Sequence, residues 1–139
     1  MVTARMSREL RRPLTLEELS RALQHLPPGR CPGEDGLPPE FFRQYWDLVG
    51  PDLLQAFQEG LDRGSLGESM CQGLIHLIPK GGDRSTLSHW RPITLLGTVY
   101  KILAKTLALQ LRDFMPDIVR SAQTGFVQDR SIFDHIFTF

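Results

Sequence analysis

Residues 74–111 read LIHLIPKGGDRSTLSHWRPITLLGTVYKILAKTLALQL, which is two apolar runs separated by a polar connector and followed by a leucine-rich stretch. Residues 74–79 form a short apolar run with the length and composition typical of a buried strand. A Lys-Gly-Gly triplet ends that run, and a polar connector leads to a second apolar run at residues 91–96. If the two runs pair as a hairpin, Lys80 and Arg91 lie close together at the two ends of its loop.

Two fixed cations at the mouth of a Gly-rich turn are suited to binding phosphate, because a guanidinium and an ammonium both donate strong hydrogen bonds to anionic oxygens. The alternative is a solvated hairpin end, in which both side chains simply point into water. The residue types alone do not decide between a phosphate site at Lys80 and Arg91 and such a solvated end.

The bulk composition fits at most one modest domain of 139 residues. The net charge is zero, so there is no overall nucleic-acid signal, but residues 70–112 carry six basic side chains against one acidic one, Asp83. Cys31 and Cys71 lack metal-binding spacing and are predicted to be reduced thiols of an intracellular protein, nuclear or cytoplasmic. No apolar run reaches membrane-spanning length, so no membrane partner is predicted.

The first helix is predicted after an unpatterned, arginine-rich N-terminus. Residues 1–13 are predicted to be disordered or extended. Thr15 can cap a helix, and Glu18 three residues later completes a capping box. Leu14 and Leu19 have the spacing of a hydrophobic staple.

A loop dense in Gly and Pro follows at residues 29–38, and two further helices are predicted after it. From its composition alone the loop is interpreted as a linker between helices. Aromatic residues with helical spacing mark the second helix, and they are interpreted as core rather than as a base-stacking surface. Gly50 and Pro51 are predicted to break the chain before a third helix, which ends at Gly64 as its C-cap.

A long helix is predicted from Gly97 to about Met115. At ~100° per residue, Lys101, Lys105 and Arg112 fall within about 40° of each other on the face opposite the leucines. The stripe is either the solvated back of an amphipathic helix or a surface that contacts a nucleic-acid backbone, since cations spaced along one face suit a chain of phosphates.

The strings LIPKGGD, WRPITLL, YKILAK and QTGFV-x-x-R-S-I, in this order and spacing, closely resemble the finger region of reverse transcriptases from non-LTR (LINE-type) retrotransposons. The resemblance covers residues 15–136. It implies an α+β, helix-rich fold, namely a partial right-hand polymerase with fingers, the start of the palm and a short β-hairpin. Residues 14–139 would then be a partial reverse transcriptase domain that stops before the catalytic palm motifs.

The resembled enzymes are RNA-directed DNA polymerases, and the resemblance implies an RNA template, a DNA primer and deoxynucleoside triphosphates as partners. Their nucleotidyl transfer depends on Mg²⁺ held by palm aspartates. Neither of the two aspartate motifs occurs in this chain, and no Asp-Asp pair is present. The sequence therefore predicts no catalytic residue, no metal ligand and no cofactor within the chain, and it predicts that the chain alone is inactive.

The resemblance assigns roles to six residues. Lys80 and Arg91 match the residues that clamp the incoming triphosphate. Four more residues match an element that lies along template and nucleotide: Gln123, Gly125, Phe126 and Arg130. Asp129 stands where the family commonly has Gly, which places a negative charge beside Arg130. The loop at residues 29–38 is similar to a loop that precedes the fingers in this family, with Arg30 where the family often has Lys, and the resemblance implies a contact with template or primer backbone.

Two other function classes stay open from the sequence. One is a non-enzymatic nucleic-acid-binding module derived from a retroelement, which the basic stripe fits equally well. The other is a helical protein-interaction domain, because apolar residues near the C-terminus predict self-association.

Overall fold

The computed structural model describes residues 4–119, which form seven α-helices and one two-stranded antiparallel sheet. The elements in chain order are α1 (Ala4–Leu10), α2 (Leu16–Gln24), α3 (Pro39–Gln44), α4 (Trp46–Arg63), α5 (Glu68–Cys71), β1 (Gly73–Pro79), β2 (Trp90–Leu96), α6 (Thr98–Arg112) and α7 (Met115–Ile118). This mixture confirms the α+β, helix-rich class. Within the described residues, no helix has the length and apolar character needed to span a membrane.

The described residues divide into two units. The larger unit is Leu14–Lys105, and the smaller one combines residues 4–13 with residues 106–119. The smaller unit contains α1, whose Met6 is 3% exposed, and α7. All the features that bear on function below lie in the larger unit unless stated otherwise.

The core of the larger unit is built on α2. Its start is the predicted capping box: the Glu18 backbone N–H donates to Thr15 Oγ1 at 3.3 Å, and Glu18 Oε2 accepts from the Thr15 backbone N–H at 3.0 Å. Leu19 and Leu23 are fully buried, and α2 packs on α3 and α4, which contribute Phe42 and Phe57 to the core.

Polar groups tie these three helices together. Trp46 Nε1 donates to Ser20 Oγ at 2.6 Å, so one aromatic residue of the predicted stripe joins α4 to α2. The Arg43 guanidinium donates to the carbonyl of Leu23 at 3.1 Å, near the C-terminus of α2. The interpretation of the aromatic stripe as core holds for Phe42, which is buried, while Tyr45 is 50% exposed.

Two predictions about secondary structure are wrong. Residues 4–10 are helical rather than disordered or extended; the segment ARMSREL consists mostly of good helix formers, and Met6 is buried. Pro51 lies inside α4, and the break comes at Tyr45 instead. A proline near the start of a helix removes one hydrogen bond, and twelve further helical residues follow it. Gly64 caps α4 with φ 72°, as predicted.

The hairpin pairs as predicted, but its first strand is not buried. The register matches Gly73 with Leu96 and Ile78 with Arg91. All seven residues of β1 are exposed, and Ile75 is 73% exposed. The apolar run is therefore explained by strand propensity rather than by burial, because within the described residues the sheet has only two strands.

Candidate phosphate-binding site on the hairpin

The register of the hairpin places the two predicted cations on one face. Ile78 lies directly opposite Arg91. Lys80 follows β1, and its backbone N–H donates to the carbonyl of His89 at 2.8 Å, which continues the ladder past the paired strands. Side chains alternate along a strand, so Lys80 lies on the face of Ile78 and hence of Arg91. Both cations are exposed.

The two cations differ in how they are held. Lys80 Nζ donates to the carbonyl of Ser88 at 3.1 Å, so its ammonium is drawn back over the connector. The Arg91 side chain has no ion pair within residues 4–119. If Arg91 had a structural role, Asp83 would be one residue with which it could pair. Both carboxylate oxygens of Asp83 instead accept hydrogen bonds from Ser85, at 2.9 and 2.6 Å. The geometry thus leaves the guanidinium of Arg91 available to a ligand.

The connector between the strands is fixed by side-chain hydrogen bonds. The Ser85 hydroxyl and backbone N–H lower the pKa of Asp83 below its usual value, so this carboxyl stays ionised and keeps both bonds at neutral pH. Trp90 Nε1 donates to the carbonyl of Arg84 at 2.9 Å, and His89 Nδ1 lies 2.7 Å from the carbonyl of Asp83. Nothing in the sequence identified His89 or Trp90 as donors.

The Gly- and Pro-rich loop packs against the far end of β2. A Cβ atom on Gly33 would lie 2.5 Å from the backbone nitrogen of Gly97 and 2.9 Å from the carbonyl carbon of Leu96. Only glycine permits this approach of two backbones. The fully buried Thr98 hydroxyl donates to the carbonyl of Leu37 at 2.6 Å, and this bond ties the loop to the first turn of α6.

A cleft of about 510 Å³ lies between this loop and the hairpin. Its charged lining residues are Arg30 and Lys101, and Ile93 and Leu95 form part of its apolar floor. Both apolar residues lie an even number of positions from Arg91, so alternation places the guanidinium on the same sheet face as the cleft. The cleft therefore combines apolar residues of β2 with the basic side chains of Arg30 and Lys101, and Arg91 lies on the same face of the sheet.

The predicted basic stripe on α6 is only partly free. Lys101 Nζ donates to the carbonyl of Cys31 at 3.1 Å, which makes it part of the loop attachment as well as of the cleft. Two of its three N–H donors stay available. Lys105 is half-buried one turn later, and Arg112 is exposed in the last turn of α6, which belongs to the smaller unit.

Comparison with known proteins gives two relatives from transposable elements. The chain is 39% identical over 137 residues to the Transposon TX1 uncharacterized 149 kDa protein of Xenopus laevis, which covers 99% of this chain and 10% of that protein. It is 30% identical over 118 residues to the Retrovirus-related Pol polyprotein from type-1 retrotransposable element R2 of Popillia japonica, covering 84% of this chain and 15% of that protein. The chain is a relative of retrotransposon proteins.

These retrotransposon relatives confirm the broad part of the resemblance. No protein-family model matches the sequence. The chain spans only about a tenth to a seventh of the length of the two relatives.

Four of the predicted site residues belong to the C-terminal part of the chain. Gln123, Gly125, Phe126 and Arg130 lie outside the described residues, as does the apolar C-terminal segment that predicts self-association. Between residues 4 and 119 there is no group of three or more His, Cys, Asp or Glu side chains that could hold a metal ion. No position is therefore assigned to Mg²⁺ in this part of the chain.

Proposed function

We propose that this chain is the finger region of a non-LTR retrotransposon reverse transcriptase, with Lys80 and Arg91 as contacts for the triphosphate of an incoming deoxynucleotide. The observation that carries the proposal is the hairpin register, which puts both cations on one exposed face beside a turn. The similarity to a retrotransposon Pol polyprotein supports the same assignment.

The two cations suit different parts of a triphosphate. Arg91 offers a planar fork that can bind two oxygens of one phosphate, while Lys80 offers a compact charge that can move between oxygens. The hydrogen bond from Lys80 Nζ to the Ser88 carbonyl is exposed, so exchanging it for a phosphate oxygen costs little. The side chains therefore bind and orient the nucleotide, and they supply no nucleophile.

The adjoining cleft supports a role for the loop in contacting the template strand. Arg30 and Lys101 supply positive charge at its rim, which suits backbone phosphates. Ile93 and Leu95 offer an apolar surface for the face of a sugar or base. In this arrangement the template and the nucleotide would share the sheet face on which Arg91 lies.

The test is a chimera in which the part of this chain that matches the Popillia japonica R2 polyprotein over 118 residues replaces the corresponding stretch of that polyprotein. The measurement is primer extension on an RNA template, with the parent polyprotein as the reference. We expect Lys80→Ala and Arg91→Ala each to raise KM for deoxynucleotide or lower kcat by about tenfold or more, the range for a hydrogen bond to a charged group. Arg84→Ala, an exposed cation of the same connector, is the matched control and should change neither value more than about twofold.

Unchanged kinetics in both variants of an active chimera would contradict the clamp assignment. The 139-residue chain alone is expected to give no extension, because a phosphate clamp does not replace the two-metal chemistry of nucleotidyl transfer. Template-dependent product from the pure chain would show that its residues do more than bind.

A further inference from the structure

Lys80 is hydrogen-bonded to the last two residues of the connector, Ser88 and His89. Its backbone N–H donates to the carbonyl of His89, and its Nζ donates to the carbonyl of Ser88. The backbone N–H of His89 donates to the carbonyl of Thr86 at 3.0 Å. The orientation of the Lys80 side chain therefore depends on where residues 88 and 89 lie.

The imidazole of His89 fixes that position by reaching across the connector. Its Nδ1 lies 2.7 Å from the carbonyl of Asp83. A carbonyl oxygen only accepts, so Nδ1 must carry the proton in this contact. The ring also lies against Gly82, where an added Cβ would be 3.2 Å from Nδ1. Gly82 has φ 79°, a conformation that glycine adopts without strain.

We infer that His89 is a positioning residue, which holds Lys80 beside Arg91 through the hydrogen bond from its Nδ1–H to the carbonyl of Asp83. This inference rests on the proposed function, because it assigns His89 a role in the same triphosphate site. The next residue, Trp90, also binds the connector, because its indole N–H donates to the carbonyl of Arg84.

Two amide substitutions separate positioning from simple packing. In His89→Asn the side-chain N–H₂ sits near the place of Nδ1 and can still donate to the carbonyl of Asp83. In His89→Gln the amide sits near the place of Nε2, away from that carbonyl. Both replacements are uncharged and polar, so their difference reports which ring nitrogen matters.

In the active chimera, we expect His89→Gln and His89→Ala to raise KM for deoxynucleotide about two- to tenfold, the range of a single hydrogen bond. We expect His89→Asn to stay within about twofold of the unmodified chimera. In a Lys80→Ala background, His89→Gln should add little, because the histidine acts through the lysine. A full additive effect in that background, or equal effects of Asn and Gln, would overturn the inference.

The outcomes distinguish this inference from the proposed function. If Lys80→Ala and Arg91→Ala both leave KM and kcat unchanged, the proposed clamp fails. If Lys80→Ala raises KM or lowers kcat while His89→Gln changes neither, only the positioning role fails.

A second measurement needs no activity and uses the chain as it is. Nitrogen-15 NMR of the histidine rings, with His89 assigned by comparison with His89→Gln, should show the Nδ1–H tautomer for neutral His89. A dominant Nε2–H tautomer would remove the geometric basis of the inference.

Discussion

The two ends of β2 are built in opposite ways. At its C-terminal end the chain turns into α6 through Gly97 and a fully buried Thr98, and the loop around Gly33 lies in backbone contact with that turn. At its N-terminal end Arg91 is exposed beside a connector that is fixed by hydrogen bonds lying near water. One end of this seven-residue strand is therefore packed against the loop around Gly33, and the other end presents side chains that a ligand can reach.

Stability and ligand binding can therefore be altered separately in this unit. A change at the buried end has no room to relax, because the neighbouring atoms belong to the backbone. A change at the exposed end removes charge without leaving a cavity or an unpaired buried group. The predictions below test this separation, beginning with the largest expected effect.

The largest effect is expected for Gly33→Ala. Its Cβ would lie 2.5 Å from a backbone nitrogen, so either the loop or the junction must move, at a cost of about 1–3 kcal/mol or more in the free energy of unfolding. The matched control is Gly97→Ala in the same contact, whose Cβ meets only Asp35 Oδ2 at 3.6 Å and should cost less than about 1 kcal/mol. Urea unfolding monitored by circular dichroism measures both. Equal losses for the two variants would contradict the close approach at Gly33.

A smaller loss is expected for Thr98→Val, which keeps the shape but removes the donor to the carbonyl of Leu37. Leaving that carbonyl without its partner should cost about 1–2 kcal/mol. Thr94→Val, at an exposed position of β2, is the control and should change the free energy of unfolding by no more than about 0.5 kcal/mol. If Thr98→Val were as mild as Thr94→Val, the loop would not depend on this hydrogen bond.

Removal of the cap at α2 is expected to have an effect near 1 kcal/mol. Thr15→Ala removes the hydroxyl that accepts from the Glu18 backbone N–H, and such caps contribute about 1 kcal/mol. Ser20→Ala loses a hydroxyl within the helix and its contact with Trp46, so it is not a suitable control. Thr86→Ala, at an exposed position of the connector where the side chain makes no capping hydrogen bond, is the control and should leave the denaturation midpoint unchanged. If Thr15→Ala lowered the free energy of unfolding by about 1 kcal/mol without reducing the helicity of α2, the loss would not be explained by capping.

The features that the sequence predicted correctly are those set by local rules. The capping box at Thr15 and Glu18 and the C-cap at Gly64 follow from side-chain chemistry within a few residues of each helix end. The hairpin follows from two apolar runs around a Gly-rich turn, and its register then determines the common face of Lys80 and Arg91.

The features that were missed depend on contacts between distant segments. The approach of Gly33 to Gly97 joins positions 64 residues apart, and no local pattern distinguishes it from an ordinary glycine in a loop. The exposure of β1 was missed for a related reason. A run of apolar residues indicates a strand, but whether anything covers the strand depends on the rest of the fold.

The smallest effect on stability is expected for Lys80→Ala and Arg91→Ala. This prediction tests most directly whether ligand binding can be altered without altering stability. Both side chains are exposed. Of the two, only Lys80 makes a side-chain hydrogen bond within residues 4–119, to a carbonyl that water can also reach. Each change should therefore alter the free energy of unfolding by no more than about 0.5 kcal/mol. Urea unfolding of the isolated chain measures this without any activity. If Arg91→Ala lowered the melting temperature by several degrees, the guanidinium would be holding the fold, for example by stacking on Trp90. The clamp assignment would then be dropped for Arg91, and the exposed end of β2 would no longer differ in kind from the buried one.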